Sequence, residues 1–128
     1  MTILVFGKTG QVATELQRRE PSVIALSRAD ADLTNPQACA AIIAETDASA
    51  VINAAAYTEV DKAEEEIELA GLINGNAVEA MAIACAKKQL PFVHISTDYV
   101  FDGAGALPWR PDDDTAPLGA YGRSKLIG

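Results

Sequence analysis

One histidine, His94, stands in the 128 residues of the chain. That excludes a metal centre built on paired imidazoles, and its place inside an apolar stretch makes it a packed strand residue. Cysteine is nearly as scarce. Cys39 and Cys85 are isolated, each within an alanine-rich helical pattern, so they read as buried thiols in a reducing compartment and not as metal ligands or a disulfide. Basic residues are outnumbered: ten Lys and Arg against eighteen Asp and Glu give a net charge of −8. That balance disfavours nucleic acid and anionic membranes as partners. No apolar run reaches the ~20 residues of a bilayer span, and no signal-peptide pattern opens the chain. No Gly-Lys-Ser/Thr closes the early glycine turn, and Lys8 sits inside it, which disfavours a P-loop. A globular, cytoplasmic domain with no membrane or nucleic-acid partner is expected.

What is present begins with MTILVFGKTGQVATEL. Ile3 to Phe6 is apolar without alternation, which suits a strand covered on both faces of a parallel sheet. Gly7 can make the tight turn that must follow. Gly10 leaves its backbone open to a close ligand, and the helix carrying Val12, Ala13 and Leu16 would aim its N-terminal N–H groups at a pyrophosphate. Ala13 is small enough for close helix–strand packing. The GxxGxxA spacing is looser than GxGxxG, but strand, glycine turn and helix in that order predict a dinucleotide-binding unit. The alternative is a tight turn in some other α/β protein.

Val23 to Leu26 predicts a second strand. An acid that would grip the ribose hydroxyls of NAD is expected roughly twenty residues beyond the glycines. Ser27 and Arg28 stand there instead and could meet a 2′-phosphate, which favours NADPH over NADH; the alternative is that Arg28 is a surface residue. Asp32 and Leu33 could form the floor and edge of an adenine pocket. Asn35 or Thr34 can cap the next helix, Gln37 to Glu45, with Cys39, Ile42 and Ile43 inward. Ala50 to Asn53 predicts strand three. The small residues that follow, with Ala55, Ala56 and Tyr57, are candidates for a cofactor wall at the strand's carboxyl end; ordinary packing is the alternative for Tyr57. Glu59 to Glu68 reads as a solvated acidic helix with Val60, Ala63 and Ile67 on one face. Leu69 to Lys88 is the longest periodic segment, with Leu72, Ile73, Ala77, Met81, Ala84 and Cys85 inward. Within it Asn74 either hydrogen-bonds toward the site or packs locally.

Phe92 to Ser96 predicts strand four. It runs into STDYVFDG, whose hydroxyls are placed to meet a substrate carbonyl. Gly103 to Leu118 is a long Gly-, Pro- and Asp-rich loop, of a length that marks a lid or binding loop; Trp109 either anchors it or packs on substrate. The last element carries Tyr121 and Lys125, four apart and so on one helical face. A tyrosine is a poor acid–base group near neutrality. A nearby ammonium favours the phenolate, and the phenol can then exchange a proton with a carbonyl or alcohol oxygen.

GKTGQVA (7–13), VINAAAYTEVDKAE (51–64), HISTDYVFDG (94–103) and APLGAYGRSKLIG (116–128) together resemble the extended branch of the short-chain dehydrogenase/reductases, and within it the dTDP-4-dehydrorhamnose reductase family. The resemblance implies a Rossmann-type doubly wound parallel α/β sheet, incomplete over residues 1–128. It implies that Gly10, Gln11 and Val12 form the pyrophosphate turn with Gly7, that Asp32 and Leu33 lie on the adenine side, and that Ala55, Ala56 and Tyr57 line the cofactor. It assigns catalysis to Thr97, Tyr121 and Lys125, and substrate contact to Thr97 and Asp98. The implied reaction is NADPH- or NADH-dependent reduction of the C4 ketone of dTDP-4-dehydro-β-L-rhamnose to dTDP-β-L-rhamnose. Tyr121 would protonate the alkoxide and Lys125 would hold the nicotinamide ribose. Family members are homodimers that require magnesium, through acidic groups outside these residues; no metal ligand is expected within them. The family is more than twice as long, so a fragment lacking the sugar-nucleotide part, and inactive alone, is expected. An epimerase or dehydratase acting on another nucleotide sugar and a non-catalytic NAD(P)-binding regulatory subunit are the competing expectations.

Overall fold

In the computed structural model, which describes residues 1–128, Ile3–Phe6 forms β1, flanked on both sides in a four-stranded sheet. The others are β2 (Val23–Leu26), β3 (Ala50–Asn53) and β4 (Phe92–His94), in the order β2-β1-β3-β4. Every pairing is parallel, with Leu4 level with Ile24 and Val51, and Val51 level with Phe92. The chain steps from β1 outward to β2, then returns past β1 to β3 and β4. Right-handed crossovers then put α1 (Gln11–Arg19) on one face and α2 (Pro36–Glu45) and α4 (Ala77–Lys88) on the other. This is the Rossmann-type doubly wound arrangement expected from the sequence.

Alternation along β1 divides its side chains between those faces. Leu4 and Phe6 join Val51, Cys39, Ile43, Ala77, Met81 and Cys85 in one buried cluster under α2 and α4. Val5 points the other way and is fully buried, as is Ala13 of α1. Both cysteines are thus core thiols, free and raised in pKa by burial. Lys88 links the two helices on the major face: its Nζ donates to the carbonyls of Ala44 (3.1 Å) and Thr46 at the end of α2.

Three elements differ from the sequence reading. The acidic stretch is not one helix. A 3₁₀ turn, Lys62–Glu64, and a break at Glu66 (φ −116°, ψ 44°) precede α3 (Ile67–Gly71), so the helical phase resets; Ala63 is buried while Ile67 is 55% exposed. The long periodic segment contains a π-helical turn, Leu72–Asn76. It buries Asn74 and Gly75 and leaves Leu72 and Ile73 only half-buried. The 22-residue run Ile67–Lys88, with a mean hydropathy up to 1.4, also has the length and apolarity of a bilayer span, which corrects the expectation of none. Its buried residues, Ala77, Val78, Met81, Ala84 and Cys85 among them, make it the core helix of this domain. Finally, β4 stops at His94 and not at Ser96: its one ladder partner, β3, ends at Asn53 level with His94, and the carbonyl of Ile95 goes to Lys125 Nζ at 2.6 Å.

Asn74 explains the π turn. Its side chain is 1% exposed. Oδ1 accepts from the Tyr57 backbone N–H (2.8 Å), while Nδ2 donates to the Tyr57 carbonyl (3.0 Å) and to Ser124 Oγ (3.0 Å). The extra residue in the turn aims this amide at two other elements, and π turns recur where a helix serves a site. Replacing Asn74 with Ala leaves the Tyr57 N–H and carbonyl unmatched and removes the donor to Ser124 Oγ, which keeps only its bond to the Tyr121 carbonyl. The expected loss is about 3 kcal/mol of unfolding free energy, measured by urea titration.

At the carboxyl ends of β3 and β4, Asn53 Oδ1 accepts from Ala55 N (3.1 Å), so its Nδ2 is the donor toward His94 Nδ1 (3.2 Å). His94 must then be neutral. Burial, and secondarily the Lys125 charge, lower its pKa to about 4 from 6.5. Unfolding therefore takes up a proton between those values. The His94 contribution to stability is full above pH 6.5 and falls as the pH drops toward 4. Urea midpoints are expected to decline from pH 6.5 to 5, with a shallower slope in His94→Leu.

Candidate active site

All four strands end on the same side of the sheet, and a cleft of about 700 Å³ opens there. Its floor is the turn after β1. Gly7 has φ +108°, and a Cβ there would lie 3.2 Å from the Ala54 carbonyl group. Only glycine fits that approach. Above Gly10 there is open space, and α1 begins there with no side-chain cap. The first N–H groups of α1 and its positive dipole end are thus left for a ligand at the cleft.

The cleft collects residues from every part of the chain. Gly7, Gly10, Gln11 and Val12 lie at the turn. Arg28 and Leu33 lie on the β2 side, Ala55 and Ala56 on the wall after β3, and Tyr121 and Lys125 on α5 (Ala120–Ile127). Four other residues singled out in the sequence do not line it. Asp32 folds its carboxylate onto Thr34, accepting from N (2.9 Å) and Oγ1 (2.8 Å), and these bonds lower its pKa. Tyr57 does not stand in the wall with its side chain: packing, the alternative, is what occurs. It is buried with Ala63, Ala70 and Ala120, and its hydroxyl donates to Glu66 Oε2 at 2.7 Å. Burial and that carboxylate push its pKa up to about 12. Thr97 Oγ1 accepts from Tyr99 N (3.3 Å), capping the 3₁₀ turn Asp98–Val100; Ser96 is the neighbouring hydroxyl residue on the cleft. Asp98 faces a second cavity.

That second cavity, about 400 Å³, is walled by Val60, Asp98, Tyr99, Phe101, Trp109 and Leu118. Phe101 and Trp109 stack at 4.7 Å between centroids, 7° from parallel, so Trp109 anchors the long loop. Tyr121 lines both cavities. Tyr99 holds its ring edge-on at 5.4 Å. Lys125 is 5% exposed, and burial lowers the pKa of its ammonium.

Several cleft residues were not singled out from the sequence. Lys8 and Thr9 lie in the turn, and Asn53 sits at the end of β3. A polar residue closing an apolar strand at its carboxyl end was the available signal for Asn53. Lys8 matters electrostatically, because neither it nor Arg28 has a carboxylate partner within 4 Å. Ser27 is less free: its N–H (2.8 Å) and hydroxyl (2.7 Å) both go to Asp30.

Comparison with known proteins gives the same picture. The family model described as "RmlD substrate binding domain" matches residues 1–128. The dTDP-4-dehydrorhamnose reductase of Salmonella typhimurium is 47% identical over 135 residues, covering 100% of this chain and 45% of that protein. Among solved structures, a dTDP-4-dehydrorhamnose reductase from Clostridium acetobutylicum is 39% identical with a TM-score of 0.93, covering 99% of this chain and 47% of that one. The Bacillus anthracis dTDP-4-dehydrorhamnose reductase, solved in complex with NADP, is 32% identical with a TM-score of 0.87, covering 99% and 47%. The chain thus spans about half the length of the relatives it matches. Because that family model matches the whole of residues 1–128, the chain belongs to the RmlD family.

Proposed function

We propose that this chain is the cofactor-binding part of an NAD(P)H-dependent reductase that converts the C4 ketone of dTDP-4-dehydro-β-L-rhamnose to the alcohol of dTDP-β-L-rhamnose. The observation that carries the reading is the position of Tyr121, at the junction of the two cavities. A proton donor at such a junction can serve a carbonyl presented from one side and reduced from the other.

The cleft suits a nicotinamide dinucleotide. Its floor is bare backbone at Gly7 and Gly10, its N-terminal helix end is uncapped, and it carries two unpaired cations, Lys8 in the turn and Arg28 after β2. Gly10, Gln11 and Val12 would hold the pyrophosphate. Leu33 and Ala31 would flank the adenine, and Ala55 and Ala56 the middle of the molecule. When bound, such a cofactor supplies a hydride for a carbonyl carbon. The protein's part is positional and acid–base. Tyr121 gives its phenolic proton to the developing alkoxide. Lys125, one helical turn away on the same wall, presents its ammonium to the ribose. Ser96 offers its hydroxyl to the carbonyl at the end of β4, and Asp98 meets sugar hydroxyls in the second cavity. Arg28 with Lys8 favours NADPH by pairing with a 2′-phosphate.

The test is a cofactor balance in the full-length protein. One NADPH is consumed per dTDP-4-dehydrorhamnose converted; turnover without net consumption would identify an epimerase instead. Tyr121→Phe is expected to lower kcat by at least about 100-fold and leave the NADPH Kd within about twofold. Arg28→Ala is expected to weaken NADPH by roughly tenfold, about 1.4 kcal/mol, while NADH changes little; equal losses for both would remove the 2′-phosphate assignment.

A further inference from the structure

We infer that Glu64 is a positioning residue for Tyr121, acting as a cap supplied in trans to the helix that carries it. This inference rests on the reductase reading for its kinetic readout and on geometry alone for its structural one.

α5 emerges from a long irregular loop and starts at Ala120 without a cap of its own. Gly119, the residue before it, has no side chain, and no cap hydrogen bond is made from within the segment. Ala120 is 2% exposed, so water does not serve its N–H. Glu64 Oε1 accepts from that N–H at 2.7 Å, across 56 residues of sequence. A carboxylate suits this place twice, as an acceptor for an otherwise orphaned donor and as a negative charge at the positive end of the helix dipole.

The surroundings are built for this contact. Ala63, next to Glu64, packs with Ala120 in the small cluster that also holds Tyr57 and Ala70. Lys62 pairs with Glu59 (3.8 Å) and Glu66 (3.4 Å) and not with Glu64, leaving that carboxylate for the helix. A Cβ at residue 119 would approach Glu64 Oε1 to 3.1 Å, so the bare backbone of Gly119 makes room for the side chain. The rest of α5 is anchored further along: Ser124 Oγ receives from Asn74, and Lys125 donates to Ile95. Glu64 is the side chain from outside the helix that hydrogen-bonds its first turn; from within it, Ser124 Oγ donates to the Tyr121 carbonyl (2.7 Å). Tyr121 is the second residue of that turn, so any rotation there displaces the phenol relative to both cavities.

Glu64 touches neither cavity, so it is separable from binding. The experiment compares Glu64→Ala and Glu64→Gln in the full-length protein. In the alanine variant kcat is expected to fall about tenfold or more, with the NADPH Kd within twofold. The glutamine variant, whose amide oxygen accepts the same bond, should recover to within about threefold of wild type. Wild-type kcat in the alanine variant, or no recovery with glutamine, overturns the proposal. If the wild-type protein reduces no keto sugar, the reductase reading fails separately, and hydrogen exchange at the Ala120 amide decides. Protection in wild type and the glutamine variant, lost in the alanine variant, sustains the cap. Fast exchange in wild type, or protection unchanged in the alanine variant, overturns it.

Discussion

The buried amide of Asn74 is the contact on which the site depends. The sheet fixes its four strands by ladder hydrogen bonds, but those bonds end where the cleft begins. Beyond the strand ends, a wall segment and a short helix must be held without a ladder. Asn74 grips the wall through both backbone groups of Tyr57 and grips the helix through Ser124. A buried amide leaves little tolerance: fully paired it fixes two segments, and partly paired it costs more than an apolar side chain would. The π turn is the backbone cost of aiming it, and Gly75 beside it lies where a Cβ would collide with Ile127.

The same solution recurs around the cleft. Asn53 joins the wall to His94, Lys125 takes the carbonyl of Ile95 just past β4, and Glu64 takes the first free N–H of α5. Each polar side chain stands at the margin of the core and closes a backbone or side-chain valence that the sheet leaves open. The charges divide accordingly. The surplus of acid lies largely on the exposed Glu59–Glu68 stretch, while Lys8 and Arg28 stay unpaired on the cleft. A protein of net charge −8 can still offer an anionic ligand a positive pocket.

This division accounts for what was legible in the sequence. The bounds of β1, β2 and β3, the glycine turn and the Tyr121–Lys125 face follow from local pattern, and the structure has them where the pattern put them. Gly7, Gly10, Arg28, Leu33, Ala55 and Ala56 meet on one cleft because parallel strands bring their carboxyl ends together. Asp32, Tyr57 and Thr97 have side chains turned elsewhere, each for a hydrogen bond that residue spacing does not reveal: to Thr34, to Glu66 and to the Tyr99 N–H. The π turn and the capping role of Glu64 were illegible for another reason. Their partners lie 17 to 56 residues away, and only the fold brings them into reach.

α5 is where these constraints meet. Eight residues are too few for a helix to persist in water on propensity alone, and this one contains Gly122, a poor helix former. Gly122 is nonetheless required, because a Cβ there would collide with the carbonyl of Tyr99. The helix exists, then, because tertiary contacts hold it, and those contacts come from Glu64 of the 3₁₀ turn, from Asn74 of the π turn and from Ile95 just past β4. Ile95 also lines the cleft, and Asn74 ties the helix to Tyr57, which follows the cleft wall. The hydrogen-bonded path from the cleft to the helix carrying Tyr121 and Lys125 therefore runs through Tyr57 and Asn74 to Ser124 on one side, and through Ile95 to Lys125 on the other.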